Sequence, residues 1–419
     1  MVQLCRRHSP LILPSSANAL ATSGERTTRA VTLTQMTPHP TLAETVSGME
    51  SLYPQQWAEA GDAIGLIVGD PVHDVRLILF AVDPVQVVVD QAIEAQADLV
   101  VVHHPLLFRA VHSVAAETPK GRVIHDLIRN DIALYVAHTN ADSPPLGVSE
   151  AIATALGLSR VRPLAAAPAD QLDKVVTFVP KNDTQQVIDA LAAAGAGAIG
   201  DYDRCAFVGT GEGTFRPGDN AHPAIGTPGR VAVVAESRVE MVLPRSRREA
   251  VIAALRGAHP YEEPAFDVLE LAGWDSDRGH GRVGDLAEPV SLREFADTVV
   301  ATLPPNAIGA RVAGDLDRPV HRVALAGGAG DFLMDEARAS GADVYVTSDL
   351  RHHPASELRE HPDAPALVDV PHWAAEWMWL PVVERALTAW LADRGYAVAT
   401  EVSHLCTDPW NHRASRSDA

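Results

Sequence analysis

The stretch that decides the fold is Asp98-Leu99-Val100-Val101-Val102-His103-His104. A short, continuous apolar run of this kind predicts a strand that is buried on both faces of a parallel sheet. Two imidazoles follow directly, at the carboxyl end of that strand. Open α/β sheets bind their ligands at the carboxyl ends of their strands. We therefore predict an α/β fold with a functional site at His103 and His104.

The flanking sequence continues this alternation of strands and helices. In the first half, strands are predicted at 75–82, 99–103 and 132–137, and helices at 84–96, 119–129 and 147–156. In the second half, strands are predicted at 320–326, 343–346 and 366–370. Each strand is followed by a predicted helix: the first ends near residue 340, the second contains His352 and His353, and the third spans 373–393. Such alternation is typical of an α/β fold with a mainly parallel sheet.

A different unit lies between the two halves. Strands predicted at 174–179, 231–234 and 239–243, with helices at 183–194 and 246–257, give a β-α-β-β-α-β-like order. The Ala/Pro-rich stretch at 162–172 predicts a linker before it. We predict domains at 36–168 (first α/β lobe), 172–272 (inserted domain) and 276–410 (second α/β lobe), with a tail at 411–419.

Composition restricts the class of protein. The 419 residues are 47% apolar, and 34 basic against 54 acidic side chains give a net charge of −20. This charge disfavours nucleic acid and anionic lipid as partners. The three cysteines show no zinc or disulfide spacing, and no apolar run is long enough to span a membrane. We expect a soluble, cytoplasmic protein, with residues 1–35 a disordered extension or an upstream start rather than a transit peptide.

Further imidazole and carboxylate groups follow other predicted strands. Asp142 follows the third strand, His372 follows the last, and Glu376 lies four residues beyond it. Positions four apart share one face of a helix. Such donors, without thiolates, suit zinc, manganese, iron or cobalt. Together with His103 and His104 they make five donors, which exceeds the usual set for one catalytic zinc and is enough for two divalent ions.

Each residue also has a simpler structural interpretation. The histidine doublet could cap a strand end, and the pair His372 and Glu376 could be an exposed helix pair. Asp142 could cap the next helix. The spacing alone leaves both interpretations open.

Several motifs together resemble the Nif-three-like dinuclear-metal family, whose members are commonly labelled GTP cyclohydrolase 1 type 2 homologues. They are WAEAGDAIGLIVG at 57–69, VVHHPLLF at 101–108, AHTNAD at 137–142, DVPH at 369–372 with Glu376, and TDPW at 407–410. The similarity runs from Met36 to Trp410. The chain departs from the family at Ala63, Ile64, Ser348 and Pro371, none of which is a predicted ligand.

The resemblance implies a fold and a metal site. It implies a Nif-three-like fold of two α/β lobes with an inserted ferredoxin-like, PII/CutA-like domain. It also implies a homo-oligomer, a hexamer built as a trimer of dimers or a dimer of trimers. The family's metal ligands fall on five residues of this sequence, namely His103, His104, Asp142, His372 and Glu376.

The resemblance also implies an activity. It suggests a metal-dependent hydrolase of a nucleotide or another small phosphorylated molecule, with metal-activated water as the nucleophile. If the substrate is GTP, water would attack the carbon of the purine five-membered ring. His138 and His353 are the candidates for a proton shuttle or for orienting the ligands. The alternative is a non-catalytic oligomeric regulator or metal-handling scaffold.

Two further segments have open interpretations. The first is the glycine-rich run Gly327-Gly328-Ala329-Gly330. It either lets a phosphate come close to its backbone amides or forms a tight turn between a strand and a helix. His259-Pro260-Tyr261-Glu262-Glu263-Pro264 in the inserted domain is either a functional segment or an ordinary loop with a docked tyrosine.

Overall fold

The computed structural model describes residues 38–414, so the extension predicted at 1–35 lies outside the described residues. The helices are α1 (Leu42–Leu52), α2 (Gln86–Ala95), α3 (Pro119–Arg129), α4 (Thr139–Asp142), α5 (Val148–Ala155), α6 (Thr184–Ala193), α7 (Arg248–Ala258), α8 (Leu292–Thr302), α9 (Met334–Ala339), α10 (His352–Arg359), α11 (His372–Trp377) and α12 (Leu380–Ala392). Among the described residues, no helix combines the length and the apolar character needed to cross a membrane.

The strands form three separate sheets. In chain order they are β1 (Gly65–Val68), β2 (Leu77–Ala81), β3 (Leu99–Val102), β4 (Ala133–Val136), β5 (Ser159–Pro168), β6 (Leu172–Pro180), β7 (Phe207–Phe215), β8 (Ala232–Pro244), β9 (Phe266–Glu270), β10 (Asp275–Ser291), β11 (Arg311–Ala313), β12 (Pro319–Ala329), β13 (Val344–Ser348), β14 (Ala366–Asp369) and β15 (Ala399–Val402). The prediction of a mixed α/β fold is confirmed.

The first sheet has the strand order β1-β4-β3-β2-β15. Its last four strands run parallel, and only β1 pairs antiparallel. All four residues of β3 are buried because alternate side chains enter different cores. Leu99 and Val101 pack into one core, while Val100 and Val102 pack with α2 and α3 into another. This double burial explains the uninterrupted apolar run, and the prediction for this strand is confirmed.

The second sheet has the strand order β11-β14-β13-β12-β10-β5. Strands β12, β13 and β14 are parallel, whereas β10 pairs antiparallel with both β12 and β5. The linker predicted at 162–172 is wrong for most of its length, because β5 runs to Pro168. Pro163 and Pro168 are tolerated there because β5 is an edge strand. It pairs with a neighbour on one side only, so the missing N–H of a proline costs fewer hydrogen bonds than in a central strand.

The third sheet is antiparallel, with the strand order β7-β8-β6-β9. Its strands and helices follow the chain as β6-α6-β7-β8-α7-β9, which is a β-α-β-β-α-β order in which β7 supplies a strand that was not predicted. The two strands predicted at 231–234 and 239–243 are one long strand, β8. The single helix predicted at 373–393 is two helices, α11 and α12. Pro381 in the first turn of α12 lacks the N–H that a continuous helix needs.

The first two sheets share a core, which brings their strand ends to one place. One hydrophobic cluster contains Phe80 of the first sheet, Val346 of the second and Trp379 between α11 and α12. The indole Nε1 of Trp379 donates to the Tyr53 hydroxyl, 3.0 Å away. The carboxyl ends of β3 and β14 therefore face the same region of the protein.

A buried arginine links the second sheet to the loop that follows α4. Arg282 on β10 is 1% exposed and pairs with Glu150. Its guanidinium donates to the carbonyls of Gly279 (2.8 Å), Ser143 (3.1 Å) and Pro144 (2.8 Å). Because the loop begins directly after Asp142, this arginine fixes the backbone next to a predicted metal ligand.

We expect Arg282→Ala to lower the free energy of unfolding by about 3–5 kcal/mol, because it leaves Glu150 and several buried carbonyls without their donor. Chemical denaturation measures the change. Arg76→Ala is the matched control: Arg76 also bonds a carboxylate, that of Asp98, but is 69% exposed, so its loss should be much smaller. Equal losses in the two variants would contradict a structural role for Arg282.

Candidate metal centre

The predicted donors come together where strands of the first two sheets end. His103 and His104 follow β3 directly, and Asp142 is the last residue of α4. His372 and Glu376 lie one turn apart on α11, which starts after β14. The imidazole Nε2 of His372 is 2.8 Å from Glu376 Oε1. The helix therefore directs both side chains at one point.

The carboxylate of Glu376 occupies the middle of the group. Its side chain is buried, and its Oε2 lies 2.8 Å from Nε2 of His104. Its Oε1 lies 3.5 Å from Nε2 of His103. Asp142 is at the edge, with Oδ1 also 3.5 Å from Nε2 of His103. We call the set His103, His104, His138, His372 and Glu376, with Asp142 at its edge, the His/Glu cluster.

Each histidine of the cluster is oriented through its other ring nitrogen. Nδ1 of His103 is 2.8 Å from the carbonyl of Ala137. For three histidines the partner of Nδ1 is a carboxylate: His104 with Asp83 (2.7 Å), His138 with Asp62 (3.0 Å) and His372 with Asp349 (2.7 Å). An oxygen acceptor at Nδ1 places the proton there, so Nε2 presents its lone pair to the cluster.

This arrangement fits a cation. With Nδ1 as the donor, the Nε2 lone pairs of His104 and His372 face carboxylate oxygens only 2.8 Å away. Electron pairs at that separation repel each other unless a proton or a metal ion lies between them. Oε2 of Glu376 is buried and accepts no hydrogen bond within the described part of the chain. A carboxylate, imidazole and metal ion in this order is the usual arrangement around metal-binding histidines.

The pKa values show how strongly the cluster attracts positive charge. Burial alone would lower the pKa of His104, but the carboxylates of Glu376 and Asp83 outweigh burial and raise it to about 11. The pKa of His372 is raised to about 10 by Glu376 and Asp349, again against the effect of burial. Burial would raise the pKa of Glu376, but the surrounding histidines hold it well below the usual value.

Two groups of donors share His104. The donor atoms of His103, His104 and His138 all lie within 4.8 Å of one another, and so do those of His104, His372 and Glu376. His138 therefore stands inside the cluster, where its ring packs against that of His103 at 5.2 Å. The structure does not bring His353 there. It is exposed on α10, next to His352.

The glycine-rich run approaches the cluster through its backbone. Gly328 has φ +71°, in the left-handed region. A Cβ on Gly328 would lie 2.6 Å from Oε1 of Glu376 and 3.5 Å from Nε2 of His372. The carbonyl of Gly328 accepts a hydrogen bond from Thr347 Oγ1, 3.1 Å away. Glycine is required here because both the backbone conformation and the available space exclude a side chain.

Sequence reasoning missed the three carboxylates that orient the histidines. Asp83 and Asp349 follow β2 and β13 closely, so the strand-end argument that found the ligands could have found them as well. Asp62 had no such signal, since it lies in an irregular segment before β1 and reaches His138 only through the tertiary fold.

Three cavities open onto the cluster, and His104 lines all of them. The first, of about 600 Å³, is mostly apolar and is also lined by His138, Phe108, Lys120 and Arg122. The second, of about 690 Å³, has walls formed by His372 and the C-terminal segment 407–410. The third, of about 250 Å³, contains most of the cluster and the glycine-rich run. The centre is therefore open to small molecules.

The fold and the cluster define a class of protein with paired α/β lobes and a histidine- and carboxylate-rich centre between their strand ends. Residues 40–409 match the model of the Duf34/NIF3 (NGG1p interacting factor 3) family, so the chain belongs to this family. The family resemblance inferred from the motifs is thereby confirmed.

Curated relatives carry the name "GTP cyclohydrolase 1 type 2 homolog". The one from Mycobacterium tuberculosis is 46% identical over 381 residues, which cover 90% of this chain and 99% of the relative. The one from Bacillus subtilis is 39% identical over 379 residues, covering 88% and 99%. The name describes these proteins as homologues, so it supports the family more directly than an activity.

Solved structures show the same architecture. A Bacillus cereus protein related to NIF3 superposes with a TM-score of 0.73 at 38% identity, covering 88% of this chain and 98% of that one. A Staphylococcus aureus protein superposes with a TM-score of 0.76 at 28% identity, covering 90% and 100%. The similarity extends over the whole described fold rather than over one lobe.

We expect Asp349→Asn to weaken metal binding by about 10- to 100-fold while the protein stays folded, because the variant removes the charge that orients His372. Titration with zinc in competition with a chelator measures the affinity. Asp335→Asn on the exposed surface of α9 is the control. Unchanged affinity in Asp349→Asn would show that the contact with His372 does not serve metal binding.

Metal binding should stabilise the protein more at pH 8 than at pH 6. His104 and His372 keep their protons at neutral pH because their pKa values are raised. A bound metal must displace these protons, so metal affinity increases with pH. In the metal-free protein the sign is opposite: the stability from these raised pKa values is complete below about 6.5 and is lost as the pH rises through 10–11. Thermal denaturation with and without zinc measures both. A metal-induced shift in Tm that is equal or larger at pH 6 would contradict this account.

Proposed function

We propose that the protein is a metal-dependent hydrolase that acts on a nucleotide or another small phosphorylated molecule, with two divalent ions per chain. The observation that carries the proposal is that the cluster offers five donor side chains besides His138, which is more than one ion usually takes. The names of the relatives point to the same chemical class. We further propose that the protein works in the cytoplasm.

The donor set supports two ions. The proposed ligands are His103, His104, His372 and Glu376, with Asp142 adjacent to His103. A catalytic zinc usually takes three protein ligands, so five side chains exceed the need of one ion. Nitrogen and oxygen donors without thiolate suit zinc, manganese, iron or cobalt. When bound, two such ions would supply the Lewis acidity that makes water a nucleophile near neutral pH.

The chain itself supplies a proton acceptor. Asp62 accepts from Nδ1 of His138 and from the hydroxyl of Thr139, which fixes the His138 ring. Nε2 of His138 then faces the cavity with its lone pair available. Through this atom the histidine can take a proton from water and return it to a leaving group. A carboxylate behind the imidazole stabilises the charged ring during this transfer.

The apolar cavity supplies a place for the substrate. Its lining contains two cations, Lys120 and Arg122, and a single carboxylate, Asp83. The two oxygens of Asp83 already accept from His104 and Thr407, so they do not neutralise the cations. Phe108 offers an aromatic surface in the same cavity, next to His138. A phosphate would bind at the cations and an aromatic base at Phe108, with the reacting atom near His104.

The predicted hexamer, and the PII/CutA-like character of the inserted domain, remain part of this proposal. The supporting observation is an exposed apolar surface on the third sheet. Phe207 and Val208 on the edge strand β7 are 66% and 42% exposed. Apolar surface next to an open strand edge is typical of a protein interface.

We expect His138→Gln to lower kcat for hydrolysis by about 10²- to 10⁴-fold at unchanged metal content, because the variant removes the proton acceptor and leaves the five proposed ligands intact. The metal-loaded protein is assayed against GTP and a panel of nucleotides and phosphate esters. His125→Gln on the exposed face of α3 is the control, and His353→Gln tests the remaining predicted histidine.

Two outcomes would count against the proposed activity. Wild-type protein with its full metal content that turns over no member of the panel would favour the alternative, a metal-handling scaffold. Full activity in His138→Gln would exclude His138 as the proton acceptor.

Assembly is tested separately. We expect light scattering to give six chain masses for the wild type and a smaller species for Phe207→Glu, because the variant places a charge on the exposed apolar surface. A monomeric wild type would contradict the proposed hexamer.

A further inference from the structure

The third sheet carries a cavity of about 660 Å³ that is separate from the metal centre. On β8, Val239 and Met241 enter the core under α6 and α7, so by strand alternation Glu236 and Arg238 lie on the opposite face. Both residues line the cavity, as does Phe178 of β6. The cavity therefore lies on the face of the sheet that the two helices leave uncovered.

The walls of this cavity are apolar, and its charged groups are mostly acidic. Apolar surface comes from Phe178, Phe215, Pro217, Pro223 and Ile225. The charged residues of the lining are four carboxylates and one guanidinium, Glu212, Glu236, Glu262, Glu263 and Arg238. The guanidinium is already paired, since its Nε donates to Glu240 at 2.9 Å. The lining therefore has a clear excess of negative charge.

Glu236 is the buried member of this set, with a relative exposure of 7%. Its Oε1 accepts from the hydroxyl of Tyr261, 2.7 Å away. Its Oε2 has no hydrogen-bond donor among residues 38–414 and lies over Gly213, where a Cβ would be only 2.0 Å away. Oε2 is accessible from the cavity, so it can accept a hydrogen bond from a ligand that binds there.

The hexapeptide 259–264 builds one wall of the cavity. Nε2 of His259 bonds to the carbonyl of Phe178 (3.0 Å), and its Nδ1 accepts from the backbone N–H of Tyr261 (3.1 Å). Glu262 accepts from the backbone N–H of His222 on the opposite loop, at 2.9 Å. The segment is thus fixed at His259 and Glu262, and its tyrosine is docked on Glu236, so these contacts fit both interpretations of the motif.

We propose that this cavity binds a small organic cation: an aromatic or aliphatic body between the apolar walls, with an ammonium or amidinium group at Glu236. A protonated nitrogen supplies the donor that Oε2 lacks, and its charge offsets that of the surrounding carboxylates. Cationic groups also bind well against aromatic faces such as that of Phe215. A phosphate or carboxylate ligand would be repelled. The site does not depend on the proposed hydrolase activity.

The test uses the full chain in its native assembly and three probes that carry the same phenyl body. Phenethylamine and benzamidine carry the cation, and 2-phenylethanol is the uncharged analogue of the amine. Calorimetry or ligand-observed NMR measures the dissociation constants. We expect roughly 0.1–1 mM for the two cations, typical of ligands of this size, and at least about tenfold weaker binding of the alcohol. This comparison in the wild type needs no mutation.

Variants then locate the site. Glu236→Gln keeps the shape of the side chain. It should weaken the binding of both cations by at least about tenfold and leave the mass of the assembly unchanged. Glu249→Gln, an exposed carboxylate on α7 of the same domain, should bind like the wild type. Equal affinity for amine and alcohol, unchanged affinity in Glu236→Gln, or no binding of either cation by the wild type would each overturn the proposal.

Discussion

The buried carboxylate of Glu376 is the group around which the rest of the centre is arranged. It accepts no hydrogen bond in the described part of the chain through Oε2, yet it stands 2.8 Å from the lone-pair nitrogens of two histidines. A charge buried in this way persists only if positive charge compensates it. Protons fill that role when the pKa values of His104 and His372 are raised, and a metal ion fills it by displacing them. The arrangement of imidazoles follows from this requirement.

The fold fixes the position of the Glu376 carboxylate. Helix α11 presents Glu376 and His372 together, and Gly328 leaves room for the carboxylate because it has no side chain. Behind the histidines stand carboxylates on separate elements, so the ring orientations depend on both sheets being correctly packed. The shared core around Trp379 secures that packing. The site and the fold are therefore coupled, and we expect metal binding to stabilise the whole pair of lobes.

The sequence predicted the parts of the fold that rest on local pattern. The buried strand at Leu99–Val102 was predictable because its apolar run is continuous. The strand-end rule placed His103 and His104, and separately His372, at strand ends, but β3 and β14 belong to different sheets, so only the shared core brings these side chains together. Strand β10 was not predicted, because glycines and charged residues such as Gly279 and Arg282 obscure its pattern, and only pairing with two neighbours makes it a strand. The break between α11 and α12 depends on one proline. Asp62 could not be placed near His138 without the tertiary fold.

The metal content of the protein distinguishes a centre with two ions from a cluster that holds only protons. Elemental analysis of purified wild type beside His104→Ala, with His125→Ala as the control, counts ions per folded chain. The account predicts about two ions per chain in wild type and control, and fewer in His104→Ala, because His104 is one of the proposed ligands. A well-folded wild type that holds no metal after exposure to zinc, manganese or iron would contradict the account and leave the His/Glu cluster with protons as its only counter-charge.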